Sequence, residues 1–286
     1  MTTPPTDAAT DLDDLTRRIP GQALMAECVR LQAQHAPRGR VARILGAHAI
    51  APEAKSWYAG AVGERITARL LDSLGPDHVV LHSVPVSASG TDIDHLVIGP
   101  IGIVTINTKH HRDARVWVAG DTVLVNGRHE PYVHAAASER RRVVRVLAGM
   151  TLPIAPVTSI VAVVDAASVV VRSEPEGVSV IDARRLVRTL RRMPAVLSPD
   201  AVWALAGALA SGATWQGGEA PVLGAADDDV VGRFAVIERE ARVARAVRLT
   251  WVGGAGAVLA GGAVALAAAI PGAVSFFAGL GAGLGF

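Results

Sequence analysis

Gly90-Thr91-Asp92-Ile93-Asp94-His95 and, beyond Gly99-Pro100-Ile101-Gly102, the run Ile106-Asn107-Thr108-Lys109-His110-His111 decide how this chain is read. Both set polar residues into Val- and Ile-rich stretches of the kind that form strands. The Gly-Pro-Ile-Gly turn between them predicts a hairpin of 94–98 with 101–108. With a side-chain period of two, Asn107 and Lys109 share one face while Thr108 points the other way. Pairing through that turn brings Asp94 and Asn107 together at the open end of the hairpin. A carboxylate on one strand, with an oxygen ligand and a lysine on the next, can hold a hard cation and orient a water against phosphate.

Upstream, Trp57, Val62, Ile66, Leu70, Leu71 and Leu74 recur at helical spacing, and Gly75-Pro76 ends that element. Gly63-Glu64 lies on this helix, and a first strand is expected over 78–86. Downstream, strands over 116–118 and 122–125 flank Gly120-Asp121, and Asn126-Gly127 marks a further turn. A helix over 132–147 follows, carrying Arg140, Arg141, Arg142 and Arg145. Strands over 160–164, 169–171 and 178–181 and a basic helix over 183–192 complete the core. The order α, β, β, β, α, β, with additions, predicts an α/β domain.

Residues 59–181 resemble the nuclease-related domain, or NERD, family, whose fold is similar to the PD-(D/E)xK phosphodiesterases. The resemblance rests on Gly63-Glu64, the Asp92-Ile93-Asp94-His95 strand opening, Ile98-Gly99-Pro100 with Gly102-Ile103, Thr108-Lys109 and Trp117. It implies a nuclease-like mixed sheet flanked by helices and metal-dependent hydrolysis of nucleic acid with Mg or Mn. It makes Asp94 the principal metal carboxylate, Asp92 a second candidate for that task, and Lys109 the group that orients water or stabilises charge developing on phosphate. Glu64 would add an accessory carboxylate from the helix. Asn107, the remaining ligand, departs from the pattern. It stands where that superfamily carries Glu or Asp, and a neutral amide binds a hard divalent ion less well. The helix over 132–147 departs too, with His134-Ala135-Ala136 where related domains carry a polar amide.

Composition sets the remaining bounds. Of 286 residues half are hydrophobic, 19% are charged and 4% are aromatic, so Ala, Val, Leu and Gly supply the excess. A net charge of +2 demands no polyanionic partner, although the Arg-rich helices permit one. The single cysteine, Cys28, excludes an internal disulfide and a Cys-rich zinc module. There is no Gly-Lys-Ser phosphate loop, no Gly-x-Ser-x-Gly elbow and no His-Glu-x-x-His helix. Composition shifts divide the chain into a disordered leader (1–20), an N-terminal helical extension (21–55), the nuclease-related α/β domain (56–197), a helix and linker (198–232), a basic helix (233–248) and an apolar Gly/Ala-rich tail (249–286). The acidic leader has no basic residue before its apolar positions and is not an export signal.

After Arg248 no charged residue occurs, and 249–270 is long enough, at about 1.5 Å per residue, to cross roughly 30 Å of hydrocarbon. A transmembrane helical segment is therefore expected, broken at Pro271-Gly272. Arg239, Arg242, Arg245 and Arg248 ahead of it favour a cytoplasmic N-terminal domain. The glycines of the tail permit close helix contacts and hence a homo-oligomer. Two function classes follow. One is a membrane-anchored, metal-dependent nuclease whose Asn107 makes its motif degenerate. The other is a catalytically inactive nuclease-fold scaffold that uses its basic helices to bind. His95, His110 and His111 read as structural histidines rather than ligands.

Overall fold

A computed structural model describes residues 15–85, 92–215 and 228–269, with 253–269 as backbone course alone. Its helices are α1 (Gln22–Gln32), α2 (Arg40–Ile44), α3 (Lys55–Leu71), α4 (Tyr132–Ala148), α5 (Leu186–Leu190), α6 (Pro199–Ala210) and α7 (Asp228–Ala269). Its strands are β1 (Val79–Pro85), β2 (Asp92–Gly99), β3 (Gly102–His110), β4 (Arg115–Ala119), β5 (Thr122–Val125), β6 (Arg128–Glu130), β7 (Val157–Val164), β8 (Ser168–Ser173) and β9 (Ser179–Asp182). Contacts divide the chain into two units, Met1–Gln32 with Pro52–Phe234, and Ala33–Ala51 with Ala235–Phe286.

In the first unit a five-stranded sheet runs β1-β2-β3-β7-β9, and a four-stranded sheet runs β6-β5-β4-β8. The β1, β2 and β3 strands pair antiparallel, whereas β3, β7 and β9 are parallel. The domain is thus α/β with mixed sheets flanked by helices. Strand alternation sorts the core into layers. Val104 and Ile106 of β3, with Ile160 and Ala162 of β7, meet Leu71 of α3 and Leu186 and Leu190 of α5. On the opposite face, Val161 and Val163 meet Val133 and Ala136 of α4. Leu96, Ile98 and Ile103 join Val143 of α4 and Val202, Leu205 and Leu209 of α6. The β2–β3 hairpin closes through Gly102 at φ +99°, where an added Cβ would meet the Pro156 carbonyl oxygen at 2.6 Å. Only glycine fits that turn.

Leu15, within the stretch 1–20 read from composition as a leader, is a core residue beside Leu81, Val84 and Ile93. Arg18 is buried and donates from Nη1 to the Ser83 carbonyl at 2.8 Å. Residues 1–14 lie outside the described residues, as do Gly90 and Thr91. The short β6 was not anticipated, because Arg128-His129-Glu130 has neither apolar alternation nor β-branched residues. Cys28 of α1 is buried, and burial pushes its thiol up to about 11, which leaves it unreactive.

The second unit also departs from expectation. Segment 33–51, grouped by sequence with the N-terminal extension, packs with the basic helix: Arg248 donates from Nη1 to the Gly46 carbonyl at 2.8 Å. Trp251 Nε1 donates to the Ile44 carbonyl at 2.9 Å, and Arg38 pairs with Glu240 at 3.2 Å. One helix, α7, runs through the expected basic helix and on to residue 269. The expected transmembrane helix is not supported: among the described residues, no helix is long and apolar enough to cross a membrane. Charges at 228, 229, 233, 238, 239, 240, 242, 245 and 248 interrupt the part of α7 with described side chains. The stretch 270–286 lies outside the described residues.

Candidate metal centre

The open end of the β2–β3 hairpin gathers the polar residues singled out by sequence. His95 faces Ile106 at the last paired step of the antiparallel register, and Asp94 and Asn107 are the next residues along their strands. Asp94 is held there by the Thr108 backbone N–H, which donates to its Oδ2 at 2.6 Å. Thr108 itself turns to the α3 side, where its hydroxyl donates to the Thr67 hydroxyl at 3.2 Å. Asn107 turns to the α4 side, where its Nδ2 donates to Glu139 Oε1 at 2.6 Å. The strand's period of two thus separates the two neighbours as the sequence requires. Lys109 shares the Asn107 parity, and its ammonium lies 5.3 Å from the centroid of the Tyr132 ring.

Glu64 reaches the same electrostatic neighbourhood from α3. That helix approaches the end of β3 closely because residue 63 has no side chain: a Cβ there would meet His110 Cβ at 2.8 Å. Glu64 is buried, and the Gly21 backbone N–H donates to its carboxylate. Burial, followed by the charge of Asp94, raises its pKa well above the ordinary value against the pull of Lys109.

The other carboxyls behave alike. Burial raises Asp94, opposed by Lys109 and the Thr108 N–H. Burial and then Asp94 push Asp92 up to about 6, opposed by the guanidinium of Arg18. Burial and then Asp94 push Glu139 up to about 8, opposed by the Asn107 hydrogen bond and Lys109. Dehydrated carboxyls that repel one another form a site short of positive charge, which a divalent cation would supply.

The orphaned atoms agree with that reading. Asn107 Oδ1 and Glu139 Oε2 are buried with no hydrogen-bond partner among the described residues, a costly state for an oxygen that could bind water or a cation. Among the described residues no set of three or more His, Cys, Asp and Glu side chains could hold a metal by itself. Carboxylate and amide oxygens are the donor types present, and oxygen donors suit a hard cation better than a softer metal.

The histidines serve the scaffold. His82 Nδ1 and His95 Nδ1 lie 2.8 Å apart, and burial lowers the pKa of both rings. His110 bridges the Ala59 carbonyl and Asp165, each at 3.0 Å. His111 Nε2 bonds the Tyr132 hydroxyl at 2.6 Å.

Sequence reasoning passed over Glu139, although a signal existed. Val133, Ala136, Glu139 and Val143 are the buried residues of α4, so an acid occupies a position on the core-facing stripe. Arg18 and Gly21 carried no such signal, because their relation to Asp92 and Glu64 depends on tertiary packing.

The segment from α3 to the end of β7 holds all four of these carboxyls, whereas the Arg18 guanidinium and the Gly21 N–H come from outside it. Residues 59–164 match the NERD family, the nuclease-related domain. The matched segment includes Glu64, Asp92, Asp94, Asn107, Lys109 and Glu139, and strands β8 and β9 and helices α5, α6 and α7 lie beyond it. No curated protein and no solved structure matches the chain.

Proposed function

We propose that this chain hydrolyses phosphodiester bonds in nucleic acid with a Mg or Mn ion, in the manner of a PD-(D/E)xK phosphodiesterase. The observation that supports the reading is a buried Asp94 carboxylate, bonded by the Thr108 N–H and acted on by the charge of Lys109, together with the neighbouring strand residue Asn107, whose buried amide oxygen has no partner among the described residues. The Asp94 carboxylate and Asn107 Oδ1 would hold the ion, with Asp92 and Glu64 lending negative charge. Such an ion lowers the pKa of a bound water and polarises a phosphoryl oxygen. Lys109 offers its ammonium to the attacking water or to a non-bridging phosphate oxygen, where negative charge grows in the transition state. The Tyr132 ring and the Asp94 charge limit where that ammonium can go.

Nucleic acid is favoured as substrate by the outer face of α4. Arg140, Arg141 and Arg145, with Val144, line a cavity of about 510 Å³. Guanidinium forks match phosphate geometry and would track a backbone without reading bases. The test is incubation of the full chain with single- and double-stranded DNA and RNA in Mn, beside Asp94→Ala. Cleavage by the wild type alone supports hydrolysis. Binding of nucleic acid without cleavage in any metal favours the second reading, a silent nuclease-fold scaffold, for which the neutral Asn107 is the specific argument.

We further propose that 249–286 associates with a membrane and leaves the nuclease-related domain on the cytoplasmic side. The support is the lack of any charged residue beyond Arg248 and the arginines preceding it. Glycines in this stretch suit helix contacts between copies. Full-length protein that is monodisperse in detergent-free buffer would remove this part of the proposal.

A further inference from the structure

We propose that Glu139 of α4 is a ligand of the cation and supplies the carboxylate that β3 lacks at Asn107. The inference rests on the phosphodiesterase reading and deepens it. Asp94 with an amide oxygen gives a divalent ion a single carboxylate, a weak set for a hard cation. Glu139 repairs that deficit from the next layer. It is 7% exposed, its Oε1 accepts from Asn107 Nδ2 at 2.6 Å, and its Oε2 has no partner among the described residues. Asn107 is 5% exposed, and its Oδ1 is likewise without a partner.

The bond between them fixes both groups at once. By donating from nitrogen, Asn107 must present its amide oxygen elsewhere, and by accepting on one oxygen, Glu139 keeps the other free. Two orphaned oxygens are therefore left on side chains more than nine-tenths buried, and the charge of Asp94 acts on Glu139. A purely structural Glu139 would leave one carboxylate oxygen dehydrated and unpaired, which proteins avoid. The same helix turns Arg140, Arg141 and Arg145 to a cavity on its other side, so α4 would contribute both an ion ligand and phosphate contacts.

The experiment counts bound Mn through loss of the free-ion electron paramagnetic resonance signal, on the full chain, without substrate. Three proteins are compared: wild type, Glu139→Gln, and the exchanged pair Asn107→Glu with Glu139→Gln. Glutamine can keep the link to Asn107, and far-ultraviolet circular dichroism checks the fold. The expected result is Mn binding by the wild type, a loss of about tenfold or more in Glu139→Gln, and recovery in the exchanged pair. Wild-type binding with equal affinity in Glu139→Gln would overturn the role of Glu139 while leaving the hydrolytic reading intact. No Mn binding by folded wild type would overturn both.

Discussion

Asn107 donates a 2.6 Å hydrogen bond from its side-chain nitrogen to Glu139, tying strand β3 to helix α4. The amide is thereby oriented with nitrogen toward the acid and oxygen away from it. Asn107 therefore accounts for how a buried Glu139 is tolerated and leaves its own amide oxygen available to the proposed cation site. The bond also makes the electrostatics of Glu139 testable.

Without metal, Glu139 takes its proton in the folded state up to about pH 8, whereas an unfolded glutamate releases it near the ordinary value of 4.5. Between those values the folded state binds more protons than the unfolded one, so stability falls as pH rises. Asp92, raised to about 6, acts in the same direction over a narrower range. His82 and His95, both lowered by burial, act oppositely below pH 6.5. The difference between wild type and Glu139→Gln isolates the glutamate. Melting temperature in chelator should decline more steeply from pH 5 to 8 in the wild type than in the variant; parallel curves would show that Glu139 does not hold a raised pKa.

Lys109→Met keeps the stem of the side chain and removes the ammonium. Hydrolysis should fall by about 10²-fold or more, the usual effect of losing one group that stabilises transition-state charge. Mn binding should persist, since lysine is not a ligand. Measured turnover beside Mn affinity separates the roles, and unchanged turnover would leave Lys109 with only its packing against Tyr132.

Gly63→Ala forces a methyl against His110 Cβ, 2.8 Å from the ideal position, and against Thr108 Cγ2 at 3.3 Å. Overpacking of this kind costs ~1–3 kcal/mol. Urea denaturation should report that loss, together with weaker Mn binding as α3 and Glu64 move away from the strand end. A neutral substitution would mean that α3 shifts freely and does not position Glu64.

Leu15→Ala addresses the ordered start of the described chain. Leu15 is 2% exposed in the same cluster as Leu81 and Ile93, so truncation should cost ~2–5 kcal/mol. A loss within experimental error would show that Leu15 does not belong to the core.

Much of the β2–β3 hairpin was legible because its signals are local. Val and Ile runs set the strands, Gly102 set the turn, and the period of two set Asn107 and Thr108 on opposite faces. The helix α3 was legible from its apolar spacing, yet the residues it buries include Glu64 and Thr67, which a hydropathy pattern assigns to solvent. Glu139 was obscured in the same way, because a lone acid among arginines reads as a surface residue until its place on the apolar stripe is noticed. The pairing of Gly21 with Glu64 and of Arg18 with Asp92 depends on how distant segments pack, information that no short window contains. Segment 33–51 joins the C-terminal helix through backbone carbonyls at Ile44 and Gly46, acceptors that every residue type possesses.

Calorimetric titration of Mn into the full chain, repeated in buffers of different ionisation enthalpy, measures ion binding and proton release together. Saturable binding by the wild type is expected, with protons displaced from the raised carboxyls and the binding abolished by Asp94→Ala. Heats no larger than dilution in the wild type, or equal affinity in Asp94→Ala, would contradict a metal centre at the end of the β2–β3 hairpin.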